Sequence, residues 1–104
     1  RSLSVLCVAV TWAVASGVRV KTNCDNQGRV RFYPDGLGGS SEEIIHNNEW
    51  PVQDDVTIAD DRITSASVLR FECIDVGYIG GFVANVEFQG QNYFTGNPIS
   101  DYNF

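Results

Sequence analysis

The feature that most constrains this chain is an alternation of apolar and polar residues, which recurs along most of the sequence after residue 17. A period of two is typical of β-strands with one buried face, because successive side chains of a strand point to opposite sides. The clearest run covers residues 82–89, and residues 91–95 predict its return partner. Further runs of the same kind occupy residues 18–24, 29–33, 55–58 and 68–73.

The segments between these runs predict turns and loops rather than helices. Residues 25–28, DNQG, separate the first two runs and predict a tight turn, so these two runs are expected to form a hairpin. Residues 37–53 are rich in Gly, Ser, Asn and Glu and predict the longest irregular stretch. No segment of ten residues combines helical periodicity with caps. The sequence therefore predicts an all-β fold, an antiparallel β-sandwich.

The first seventeen residues predict a secretory signal peptide. Arg1 precedes an apolar run from Leu3 to Ala15, and small residues follow up to Gly17. The alternative is a buried strand or helix of the domain itself. The run is shorter than the roughly 20 apolar residues that a membrane span requires. We therefore expect residues 1–17 to be a signal peptide, and residues 18–104 to form one secreted, extracellular domain without a membrane span.

Removal of the signal peptide takes Cys7 with it and leaves Cys24 and Cys73 as a pair. An even number of cysteines in a secreted chain predicts a disulfide, and both residues lie on the inward register of their strands. For a loop of this length the crosslink stabilises the fold by about 4 kcal/mol. Two buried free thiols are one alternative. A zinc site is the other, although only His46 is available to join the cysteines.

The charge and the residue content of the chain argue against nucleic acid as a partner and against enzymatic activity. The chain has a formal net charge of −6, which makes nucleic acid an unfavourable partner. His46 is the only histidine, and no G-x-S-x-G motif is present to place a nucleophilic serine. A carboxylate pair for glycoside hydrolysis would need a deep cleft that raises one pKa, which a small sandwich rarely builds. We therefore expect no enzymatic activity.

Four segments, taken in order, resemble a known domain family. They are Asn23–Asn26, the Asp35-Gly36 turn, Asn47–Trp50, and residues 68–88, which read VLRFECIDVGYIGGFVANVEF. Their order and spacing are similar to the galactose-binding-like jelly roll of secreted animal proteins, and the resemblance covers about residues 18–90. The chain departs from that pattern in a longer, acidic loop at residues 37–47. It also stops at Phe104, so a closing strand is expected to be missing.

The resemblance implies a jelly-roll fold and a non-catalytic recognition module for a carbohydrate or a glycosylated protein, in some members with a structural calcium ion. Residue chemistry points to one candidate ligand site: Trp50 offers an aromatic face, and Asn47 and Asn48 offer amides for directional hydrogen bonds to a sugar. Tyr33 is a further candidate for the rim of the site. The alternative role for Trp50 is to fill the core before Pro51.

Carboxylates form the candidate calcium ligands. Asp54 and Asp55 precede the short strand VTI, and Asp60 and Asp61 follow it. Asp25 and Asn26 in the first predicted turn are a second partial ligand set. The alternative for all of these residues is a solvated surface. If they bind calcium without any sugar binding, the protein belongs to a second class, an acidic structural or extracellular-matrix protein that meets calcium or mineral.

Overall fold

The computed structural model describes residues 17–49, 51–74 and 81–104. These ranges contain eight β-strands and one three-residue 3-10 helix at Asp60–Arg62. The expected signal peptide up to residue 16 and the candidate ligand residue Trp50 lie outside the described residues. The strands are β1 Val18–Asp25, β2 Gln27–Tyr33, β3 Glu42–Asn47, β4 Asp54–Ile58, β5 Val68–Ile74, β6 Gly81–Phe88, β7 Gln91–Thr95 and β8 Ile99–Asn103.

The strands form two four-stranded antiparallel sheets, which confirms the all-β sandwich. Sheet A has the order β4-β1-β6-β7, and sheet B has the order β3-β2-β5-β8. The expected pairing of residues 91–95 with the preceding strand is confirmed, because β7 pairs with β6. In the described part of the chain, no helix has both the length and the apolar character needed to cross a membrane.

The core lies between the two sheets and is built from the inward half of each alternating strand. Sheet A contributes residues such as Val20 and Val86, and sheet B contributes Phe32, Leu69 and Phe71, all with at most 1% exposure. Burying each such side chain is worth about 1.5–3 kcal/mol relative to leaving it in water, so the apolar half of each strand holds the sheets together.

The predicted disulfide is present and ties the two sheets to each other. Cys24 in β1 of sheet A is bonded to Cys73 in β5 of sheet B, with Cα atoms 5.7 Å apart. Gly28 of β2 lies directly opposite Cys73 in sheet B. A Cβ atom at Gly28 would lie only 3.0 Å from the Cβ of Cys24. The absence of a side chain there is what lets the disulfide fit between the sheets.

The hairpin expected from the first two runs is wrong. β1 pairs with β4 and β6 in sheet A, whereas β2 pairs with β3 and β5 in sheet B. The chain passes from one sheet to the other at Asn26, whose backbone N–H donates to the Ile74 carbonyl at 3.0 Å. The alternating pattern predicts which side chains are buried but not which strands are hydrogen-bonded neighbours. Two strands that face each other across the core have the same pattern as two strands that pair in one sheet.

The loop expected over residues 37–53 contains a strand that the sequence analysis missed. β3 occupies Glu42–Asn47 at the edge of sheet B, so His46 lies on a strand and not in a loop. Its register against β2 shifts between Val30 and Arg31, which places the neighbouring Ile44 and Ile45 both against the core. A β-bulge of this kind breaks the alternation on which the strand prediction depends. β8, at the opposite edge of the same sheet, was also not predicted.

Candidate functional site

The predicted ligand residues Asn47 and Asn48 lie at the end of the sandwich where the chain crosses between the sheets. Asn47 ends β3, and its side chain is engaged within the protein. Its Nδ2 donates to the Val52 carbonyl at 2.9 Å and to the Asp54 carboxylate at 2.7 Å, and its Oδ1 accepts from the Glu49 backbone N–H at 2.6 Å. These bonds give Asn47 a structural task, the closure of the loop between β3 and β4.

Tyr33, the other described member of that candidate site, lies at the far end of β2. Asn47 pairs with Gly28 across the sheet, and Tyr33 is five residues further along the strand. At about 3.3 Å per residue this separation is roughly 16 Å. The structure therefore does not bring Tyr33 together with Asn47 and Asn48.

The candidate calcium ligands are dispersed. Asp54 and Asp55 are neighbours in β4 and so point to opposite sides of sheet A. Asp54 holds the amide of Asn47, and Asp55 pairs with Arg19 on the outer side. Asp25 ends β1, opposite Gly81. Among the residues that the structure describes, no group of three or more His, Cys, Asp and Glu side chains is close enough to hold a metal ion.

A feature that the sequence analysis missed lies on the outer face of sheet A, the face turned away from sheet B. Phe94 of β7 projects from this face with 66% of its surface exposed. Asn85 of β6 lies directly opposite Phe94 across the strands, and the next row on the same face pairs Glu87 with Asn92. The exposed ring therefore stands beside the exposed side chain of Asn92, whereas Asn85 donates from Nδ2 to the Glu87 carboxylate at 3.4 Å and its Oδ1 is buried.

A cavity of about 410 Å³ with a mixed polar and apolar lining continues from this face toward the β6–β7 turn. Asn92 and Glu87 line both the face and the cavity. Gln89 of the turn and Gln91 at the start of β7 also line the cavity, together with Arg19, Thr57 and the apolar Phe88. This volume is within the range of small-molecule sites, and amides that both donate and accept hydrogen bonds suit a ligand rich in hydroxyl groups.

Four charged side chains on this face form two ion pairs. Arg19 donates to both carboxylate oxygens of Asp55, with Nη2 2.6 Å from Oδ2 and Nε 3.0 Å from Oδ1. These hydrogen bonds raise the pKa of Arg19 and lower the pKa of Asp55. Lys21 lies 3.1 Å from Glu87. With these ions paired, the face offers the ring of Phe94 and the amide of Asn92, a combination suited to a neutral polar ligand.

Comparison with known proteins assigns neither a family nor a function to this chain. No protein-family model matches the sequence, and no curated protein and no solved structure is significantly similar to it. What the face does is therefore inferred from its own geometry.

A signal for Phe94 was present in the sequence. The tight turn Gln89-Gly90 joins two strands in a hairpin, and such a turn fixes the register of the pair. With Val86 inward, that register turns Tyr93 inward and Phe94 outward. An aromatic residue in a strand, considered alone, predicts a buried side chain. The residue type of Phe94 therefore does not predict its exposed ring.

Proposed function

We propose that this chain is a secreted, extracellular, non-catalytic recognition module that binds a carbohydrate or the glycan of a glycoprotein through the outer face of sheet A. The observation that carries the proposal is the exposed ring of Phe94 beside the exposed amide of Asn92 on the same face. A sugar ring presents C–H groups that stack on an aromatic face and hydroxyl groups that hydrogen-bond to amides and carboxylates.

Two coarser features support the same class of function. Two packed antiparallel sheets of four strands are compatible with a jelly roll, the fold that the galactose-binding-like resemblance implies. The Cys24–Cys73 disulfide is consistent with an oxidising, extracellular compartment. Fold alone does not grant a function, so the weight of the proposal rests on the face itself.

The non-catalytic part of the proposal rests on the surroundings of the single histidine. His46 is exposed on edge strand β3, and its Nδ1 lies 3.2 Å from the Glu43 carboxylate. Within the described ranges, no hydroxyl or thiol hydrogen-bonds to its ring. A nucleophile activated by a base requires such a contact.

The test is a glycan-array screen of the full chain, run with calcium and with a chelator. We expect binding to a neutral glycan, and Phe94→Ala to weaken it by about tenfold or more, as loss of a central aromatic contact does. Ile99→Ala is the matched control, because Ile99 is 64% exposed but lies on β8 of the other sheet.

Binding that survives Phe94→Ala, or that Ile99→Ala weakens equally, would contradict the assignment of the site. Calcium binding without any glycan binding would instead select the acidic structural class. The arm of the screen with the chelator separates a glycan site that needs calcium from one that does not.

A further inference from the structure

A second binding feature lies on the outer face of sheet B, the face turned away from sheet A. Three of the chain's seven basic residues, Arg29, Arg31 and Arg70, project from this face, because their neighbours Val30, Phe32, Leu69 and Phe71 point into the core. Arg31 of β2 lies directly opposite Arg70 of β5. Like charges placed opposite each other on adjacent strands repel, so this pairing costs stability unless negative charges lie beside the two arginines.

Arg31 and Arg70 differ in whether a carboxylate pairs with their positive charge. Arg70 donates from Nε and Nη2 to the two carboxylate oxygens of Asp101, at 2.8 and 3.0 Å, which raises the pKa of Arg70. Arg31 donates from Nη1 to the Ser41 hydroxyl at 3.1 Å and forms no ion pair in the described part of the chain. Its cross-strand neighbour Glu43 contacts His46 instead.

Two further residues extend this site along β2. Tyr33 follows Arg31 by two residues on the same face, close enough to Arg70 to affect its pKa. Arg29 precedes Arg31 by two residues, and its Nε is buried without a hydrogen-bond partner among the described residues. Glu72, opposite Arg29, forms no ion pair in the same ranges.

We propose that Arg31 and Arg70 form a binding site for the anionic group of an acidic polysaccharide, the carboxylate of a uronic acid or a sulfate ester, with the ring of Tyr33 beside the sugar. Arg31, whose Nη1 holds only the Ser41 hydroxyl, offers the other N–H groups of its planar guanidinium to either anion, while Arg70, whose Nε and Nη2 hold Asp101, adds its positive charge. An anion held beside Arg31 supplies the negative charge that this residue lacks. This site is on the opposite side of the molecule from Phe94 and does not depend on the function proposed for that residue.

The attraction at this site is local and does not reflect a basic surface. Glu43, Glu72 and Asp101 share the face with the three arginines, and the whole chain carries a net charge of −6. A polyanion therefore gains nothing from the net charge of the protein. Binding, if measured, must come from particular arginines and must weaken with added salt.

The experiment compares three immobilised polymers with the full chain in solution: polygalacturonate, which carries carboxylates, dextran sulfate, which carries sulfate esters, and uncharged dextran. We expect the chain to bind at least one anionic polymer and not dextran, and the polymer that binds identifies the anion. Arg31→Gln is expected to weaken this binding tenfold or more. Glu43→Gln, which removes the carboxylate on the strand position opposite Arg31, is expected to strengthen it.

Arg62→Gln is the matched control, because it removes the same charge from a residue of the 3-10 helix that pairs with Glu42 and lies over the ring of Phe32, which points into the core and not to the face of Arg31. Arg31→Lys keeps the charge but loses the planar guanidinium and is expected to bind with intermediate strength, provided that circular dichroism shows each variant folded. No binding to either anionic polymer would overturn the proposal. Equal losses in Arg31→Gln and Arg62→Gln would also overturn it. Neither result would affect binding of a neutral glycan at Phe94.

Discussion

Cys24 of β1 and Cys73 of β5 join the two sheets across the core, so the disulfide links strands that no backbone hydrogen bond connects. The two residues are 49 positions apart in the sequence. A crosslink that closes a loop of this length restricts the unfolded chain, which in the chain-entropy model stabilises the fold by about 4 kcal/mol. For a small domain this is a large share of the total stability.

Removing the crosslink is therefore expected to destabilise the domain strongly. The variant with both Cys24→Ala and Cys73→Ala should lose about 4 kcal/mol of unfolding free energy, measured by equilibrium unfolding in guanidinium chloride. The wild-type chain in the presence of a reductant should show the same loss. An unfolding midpoint that is unchanged by both treatments would show that the crosslink does not hold the sheets together.

A second prediction concerns the space beside the disulfide. Gly28→Ala would bring a Cβ atom within 3.0 Å of the Cβ of Cys24, which the disulfide prevents from moving away. We expect a loss of about 1–3 kcal/mol in thermal unfolding, the usual cost of overpacking. Gly38→Ala is the matched control, because no atom lies within 4 Å of the added Cβ there. Equal effects of the two substitutions would show that the contact with Cys24 carries no cost.

The sequence predicted which side chains are buried better than it predicted which strands are neighbours. The inward positions of Cys24 and Cys73 follow from the alternation in their strands, and their disulfide is confirmed. The pairing of β2 with β5, which brings Arg31 opposite Arg70, joins residues almost forty positions apart. Nothing local in either strand specifies that partner, because alternation reports one buried face and not the strand alongside.

The residues of the candidate site also differ in whether the sequence predicts their positions. The position of Phe94 opposite Asn85 follows from a local hairpin, so it was available from the sequence once the turn had fixed the register. The structural role of Asn47 could not be predicted from the sequence, because its hydrogen bonds to Val52 and Asp54 depend on the path of a loop. Asn is common both in ligand sites and in turns, and residue type alone does not separate the two roles.

Asn47 provides a third prediction, which separates a structural role from a ligand-binding one. Asn47→Ala removes two donated hydrogen bonds and one accepted hydrogen bond, and leaves the Asp54 carboxylate without that partner. We expect a loss of about 1–3 kcal/mol in thermal unfolding. Asn48→Ala is the control, because Asn48 is exposed and forms no hydrogen bond within the described residues. If Asn48→Ala leaves stability unchanged but abolishes glycan binding, the ligand site lies at this loop and not at Phe94.

The last prediction follows from the ion pair between Arg19 and Asp55. Hydrogen bonds from Arg19 lower the pKa of the Asp55 carboxyl below its ordinary value of 3.8, so the folded state favours the ionised carboxylate more than the unfolded state does. The stability gained is present in full above the ordinary pKa and is lost as the pH falls through the lower pKa of the folded state. Protonation therefore removes the contribution only in acid, below about pH 4.

Asp55→Asn should lower the melting temperature at pH 7, and the difference from the wild type should shrink as the pH falls below 3.8 and through the lowered pKa of the folded state. The decrease at pH 7 should be small and should shrink in high salt, because both side chains are more than 40% exposed and water screens the pair. Thermal unfolding of both proteins between pH 2 and pH 7 measures the difference. A difference that stays constant down to pH 2 would mean that Asp55 contributes through packing or through neutral hydrogen bonds and not through its charge.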